Sequence, residues 1–148
     1  MNSALSFAFA LLLAAGAAQA QSVSDTITAR QTGFKNMSAA FGDVKKVLDA
    51  SGDTTTVAAK AQEVADFARK IPAAFPAGSG PEAGVKTRAL APIWANKGEF
   101  ENMASNFGRE ADKLVAALKS GDKAASLAAF QATGGTCGAC HRPYRAPQ

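Results

Sequence analysis

The chain has 148 residues, with 16 Lys and Arg against 12 Asp and Glu, a net charge of +4, two cysteines and one histidine. That length suits one domain. The basic residues are scattered rather than run together, which excludes a nucleic-acid interface built on a Lys/Arg tract and leaves a mild preference for acidic partners.

Residues 1–20 contain no charged side chain, and 7–15 are almost continuously apolar. The segment closes on Ala18-Gln19-Ala20, the small-x-small pattern read by signal peptidase. It is expected to be a secretory signal peptide cleaved before Gln21, although no Lys or Arg opens it. The apolar stretch is short for a membrane span, which needs about 20 apolar residues. Residues 21–148 should then form one soluble domain, free of the membrane, in the periplasm.

Four helices are expected in that domain. The first covers 26–50, with Ile27, Phe34, Met37, Phe41, Val44 and Leu48 on one stripe. Ser24 or Asp25 should cap it, and Ser51-Gly52-Asp53 should end it. The second covers 54–71, with the stripe Val57, Ala61, Val64, Ala68 and Ile71, and Pro72 stops it. A connection over 72–97 holds four prolines and three glycines, a density that neither a helix nor a central strand should survive. It carries the only tryptophan, Trp94. A loop this long in a small domain is often functional.

The third helix covers 98–120, with Phe100, Met103, Phe107, Leu114 and Leu118 facing inward. Gly121 breaks the chain and Asp122 can cap the last helix, which places Leu127, Phe130, Gly134, Cys137 and His141 on one face. Strand-like alternation is missing throughout. The expected architecture is all-α, an antiparallel four-helix bundle whose interior can hold a cofactor.

Both cysteines and the histidine fall in Cys137-Gly138-Ala139-Cys140-His141. Residues i and i+3 share a helix face. Two thiols so placed can add to the two vinyl groups along one haem edge, and the next residue brings an imidazole under the iron. The C-x-x-C-H spacing therefore reads as a covalent haem c attachment site, with His141 the metal ligand. Three other readings are weighed against it. A redox dithiol wants a strand–helix context. Zinc wants four ligands. An i,i+3 disulfide closes too small a loop to stabilise much. No acid–base or nucleophile–base pair is evident, so an enzyme is not expected.

The motif lies at the end of the chain, within Cys137-Gly-Ala-Cys140-His141-Arg-Pro-Tyr144-Arg145. That ending resembles the C-x-x-C-H-x-x-Y-R pattern of class II cytochromes c, most closely cytochrome c′. Arg30-Gln31-Thr-Gly-Phe34-Lys-Asn-Met37 is similar to the family's first-helix segment, and Pro92-Ile93-Trp94 followed by Phe100 is similar to its loop. The resemblance implies that Arg30 pairs with a haem propionate, an anion that a lone Arg on an apolar-leaning face would suit. It implies that Gln31 belongs to the cofactor site, that Trp94 packs near the haem edge, and that Arg145 lies over the proximal imidazole. It puts Phe34 on the distal side, where low-spin members place a Met ligand. Phe34 cannot ligate, which implies five-coordinate, high-spin iron that binds NO and CO in preference to oxygen. Electron transfer with a redox partner protein is a second implied role. A homodimer through the first two helices is one implied state, a monomer the other. The competing functions are a low-spin Met/His electron carrier using Met37 or Met103, and a dithiol oxidoreductase using Cys137 and Cys140.

Overall fold

The computed structural model describes residues 22–147, so the expected signal peptide lies outside the described residues. Four long helices form the bundle: α1 (Val23–Asp49), α2 (Ala58–Ala68), α4 (Lys97–Ser120) and α5 (Lys123–Tyr144). A four-residue helix, α3 (Pro92–Ala95), precedes α4.

Helix ends follow local chemistry. Ser22 caps α1, its Oγ accepting from the Asp25 amide, so Asp25 sits in the first turn and neither it nor Ser24 is the cap. At the other end the Ser51 amide donates to the Leu48 carbonyl and the Gly52 amide to the Val47 carbonyl. This is a Schellman arrangement, and the left-handed residue it needs is Ser51, at φ 52°, rather than the adjacent glycine. Gly121 closes α4 at φ 75°, and Asp122 caps α5 by accepting from the Ala125 amide.

The second expected helix begins one turn late. Thr54–Val57 form a 3₁₀ turn capped by Asp53, and the α-helix proper ends at Ala68. The connection is more ordered than its prolines suggested: it contains α3 and two 3₁₀ turns, Pro72–Ala74 and Pro81–Ala83. In each of the three, proline stands in the first turn, where no amide hydrogen is required.

Much of the buried core lies between α2 and α4. Ala61, Val64, Ala65 and Ala68 pack on Ala104, Phe107, Ala111, Leu114 and Leu118, all buried. Small side chains let these helices approach closely; the Ala68 methyl lies opposite Gly108, within contact distance of any Cβ built there. By contrast α1 and α5 meet over a short stretch, where Phe41 stacks on Phe130 at 4.2 Å. Leu127, expected on the inward face of α5, is exposed instead, a full turn before that stacked pair. Among the described residues no helix is long and apolar enough to cross a membrane.

Candidate functional site

A cavity of about 710 Å³ opens where α1 and α5 diverge, a size typical of cofactor pockets. The 3–4–3 spacing of Gly134, Cys137, His141 and Tyr144, together with Cys140, brings these residues of α5 to the cavity wall. The rotation of α5 is held by Thr133. This fully buried hydroxyl lies 2.8 Å from the Ala129 carbonyl oxygen and 3.1 Å from that of Glu110 on α4, and it donates to them. Opposite, α1 contributes Arg30, Gln31, Phe34, Met37 and Phe41 at the same helical spacing, and α4 contributes Phe100, Met103 and Phe107.

The end of α5 is strapped to the long connection. The Leu90 amide donates to the Tyr144 carbonyl (3.0 Å) and the Ala146 amide to the Arg88 carbonyl (2.8 Å). Arg88 returns the bond through Nε to the Ala146 carbonyl at 2.9 Å. Tyr144 is buried edge-on against Phe100. The strap holds Thr87, Arg88 and Ala89 against the cavity beside the motif.

Arg30 is 4% exposed, so it is not a solvent-facing cation. Its Nη1 donates to the Ser79 hydroxyl (3.1 Å) and the Ala74 carbonyl (3.3 Å), and its Nη2 to the Ser79 carbonyl (3.0 Å) and Thr87 Oγ1 (3.1 Å). The guanidinium also lies 4.3 Å over the Phe75 ring. Burial lowers its pKa, and among the described residues no carboxylate pairs with it. Arg30 thus ties α1 to the connection and brings an uncompensated positive charge to the cavity wall. Gln31 is exposed at the mouth, its Nε2 donating to the Lys86 carbonyl at 2.9 Å.

Phe34 is half-buried, edge-on to Phe67 at 5.0 Å and to Phe75 at 6.2 Å. The two thiols are free, and burial pushes both above the ordinary thiol range. A reactive dithiol needs the opposite shift. His141 stands at the rim. Desolvation against the cavity wall, then the charges of Arg145 and Arg88, lower its pKa and favour the neutral, metal-ligating imidazole. No group of three or more His, Cys, Asp or Glu side chains among the described residues is placed to hold a metal, which leaves zinc without a ligand set.

A family model described as Cytochrome C′ matches residues 25–145. The chain belongs to the cytochrome c′ family. Cytochrome c′ of Rubrivivax gelatinosus is 33% identical over 129 residues, covering 86% of this chain and 98% of that protein. The crystal structure of cytochrome c′ from Thermochromatium tepidum superposes with a TM-score of 0.80 at 32% identity, over 86% of this chain and all of that one. The nitric oxide complex of a mutant cytochrome c′ from Alcaligenes xylosoxidans gives a TM-score of 0.78 at 26% identity, over 88% and 100% of the two chains.

A cytochrome c′ carries covalent haem c, and the residues present fit one. The cavity is walled by aromatic and aliphatic side chains, two protonated thiols share one helix face with an imidazole, and a buried cation awaits an acidic group. Arg30, Gln31, Phe34, Cys137, Cys140, His141 and Arg145 all line that cavity. Trp94 does not: it stands behind Phe75, and its indole N–H donates to the Pro76 carbonyl at 2.9 Å, fastening the connection from outside. Sequence reasoning missed Phe75 and Arg88, which lie in irregular backbone and had no signal, and it named Tyr144 in the terminal motif without giving it a place at the site, although Tyr144 lies seven residues after Cys137 on one face.

Proposed function

We propose that this chain is an exported, periplasmic c-type cytochrome that binds NO and CO. Cys137 and Cys140 would hold one haem c through thioethers, and His141 would supply the imidazole that ligates its iron. The observation that carries this reading is the convergence of both thiols and the sole imidazole of the chain on a single cavity. Haem iron bound by one imidazole supplies an open position for a diatomic ligand and a one-electron couple. The chain does the rest. Tyr144 and Thr133 fix the rotation of the ligating helix. Arg30 offers positive charge to a propionate through its remaining donor, Nε. Phe34 presents to the cavity an apolar ring with no ligating atom and no hydrogen-bond donor, which would discourage anions and favour NO and CO over oxygen. The relative solved as a nitric oxide complex supports the gas-binding reading.

Met37 and Met103 also line the cavity, which keeps a low-spin Met/His electron carrier as the second reading. The raised thiol pKa values weigh against a dithiol oxidoreductase. The decisive experiment is the absorption spectrum of the purified protein, oxidised, reduced and with CO or NO, beside a pyridine haemochrome assay. Five-coordinate iron gives a high-spin spectrum without the weak far-red sulfur band, and that band would establish the Met ligand. Haem that extracts into acid–acetone overturns the covalent assignment. An intact mass of residues 21–148 plus one haem supports export with cleavage; the full precursor in the membrane fraction contradicts it.

A further inference from the structure

The Phe34 ring stands between two others that differ in freedom. On one side is Phe75, buried and itself fixed by Phe100 at 5.0 Å, by Trp94 at 6.1 Å and by the Arg30 guanidinium 4.3 Å over its face. On the other is Phe67 of α2, edge-on at 5.0 Å and half-buried rather than enclosed. Val64 and Ile71 share a helix face with Phe67, and both line the cavity. Phe67 does not, because the Phe34 ring lies between it and the cavity. The far edge of the Phe67 ring rests on the backbone of α1. A Cβ built on Gly33 would stand 2.1 Å from Cε2, 2.8 Å from Cζ and 3.1 Å from Cδ2 of that ring. Glycine weakens a helix interior relative to alanine, and here it makes room for an aromatic side chain. The residue that makes the room directly precedes the residue that the ring supports.

We propose that Phe67 is a positioning residue for gas binding: wedged into the slot that Gly33 leaves, it sets how readily the Phe34 ring yields to an entering diatomic ligand. The inference rests on the reading of Phe34 as the ring such a ligand must displace. A displaced ring moves toward its less constrained neighbour. Phe75 is enclosed by rings and a cation, and a dense wall resists repacking. Phe67 has Phe34 as its one aromatic partner among the described residues. The backbone at Gly33 blocks its retreat into α1, so it gives way only toward solvent. The gate is then a pair of rings. Phe34 meets the ligand, and Phe67, which does not line the cavity, acts through Phe34 alone.

The test is carbon monoxide association, followed by flash photolysis of the haem-loaded protein, in a double-mutant cycle. Phe67→Leu should bind CO about two- to tenfold faster, the rate equivalent of one lost edge-to-face contact. Gly33→Ala expels the ring by another route and should accelerate binding comparably. Adding Phe67→Leu to Gly33→Ala should relieve the collision, recovering part of the lost melting temperature while the rate stays fast. Adding Phe67→Leu to Phe34→Ala should change the rate no further, because no ring remains for it to hold. A control, Leu118→Val, shortens a fully buried side chain at the far end of α4, away from the cavity. It should lower the melting temperature and leave the rate at the wild-type value, so that lost stability alone does not explain faster binding. An unchanged rate in Phe67→Leu beside a faster Phe34→Ala overturns the proposal and leaves the gate standing. Equal acceleration by Phe67→Leu in the Phe34→Ala background also overturns it, because Phe67 would then act by itself. An unchanged rate in Phe34→Ala removes the gating reading, and this proposal with it.

Discussion

Replacing Phe34 by alanine tests the cavity wall and the gas-binding reading together. The ring makes two edge-to-face contacts, with Phe67 at 5.0 Å and Phe75 at 6.2 Å, each worth about 0.5–1.5 kcal/mol beyond area burial. A fully buried Phe→Ala costs about 3–5 kcal/mol. Phe34 is half-buried at a cavity edge, so part of its surface loses no packing partner. The expected cost is about 2–3 kcal/mol, read as a lower urea midpoint at unchanged slope. Carbon monoxide association, followed by flash photolysis of the haem-loaded protein, should accelerate because no ring has to be displaced from a packed wall. Phe34→Met offers a thioether at the same place and should shift the iron toward low spin. A loss under about 1 kcal/mol would mean that the aromatic contacts contribute little. Equal association rates would mean that Phe34 does not gate the iron, and the assignment of α1 to the distal wall would fall with it.

Other perturbations follow from single residues. A Cβ on Gly33 would stand 2.1 Å from Cε2 of Phe67, so Gly33→Ala should destabilise by about 1–3 kcal/mol through overpacking and, by displacing Phe67, disturb Phe34; thermal unfolding and the CO rate read both. Arg30→Met removes four hydrogen bonds into the connection. It should cost about 2–4 kcal/mol, less than four charged bonds would suggest because a buried charge goes with them, and limited proteolysis should cut first within 75–90. Asp53 accepts from the Thr55 hydroxyl and amide, which hold its carboxyl below the usual range. A depressed carboxylate contributes stability that is complete above the ordinary carboxylate pKa and is lost as pH falls through the folded value. The melting-temperature gap between wild type and Asp53→Asn should therefore shrink on acidification from neutral pH, and a constant gap would refute it.

The helical stripes were legible because periodicity reports burial directly: Phe100, Phe107, Leu114 and Leu118 are all buried as their spacing demands. The motif was legible because its three functional atoms come from five adjacent residues. Illegible features depend on residues distant in the chain. The donors of Arg30 are taken by partners 44 to 57 positions away, and nothing near Arg30 announces Ser79 or Thr87. Trp94 was legible as an element of the loop but not as a staple to Pro76, because that bond depends on a turn with no period. Gly52 drew attention at the end of α1, yet the left-handed residue is Ser51. The Schellman bonds select a position, and glycine is a preference there rather than a requirement.

Mechanically, the bundle is a book. Its spine is the alanine-lined seam between α2 and α4, where helices lie close and have little freedom to slide. Its covers are α1 and α5, touching chiefly through the Phe41–Phe130 stack and closed along the open edge by the strap at residues 88–90 and 144–146. An occupant of the cavity therefore lies between the two neighbouring long helices that share the least contact, α1 and α5. The stack and the strap oppose a parting of those two helices, and each also contributes to the cavity wall, through Phe41 and through Arg88, Ala89 and Tyr144.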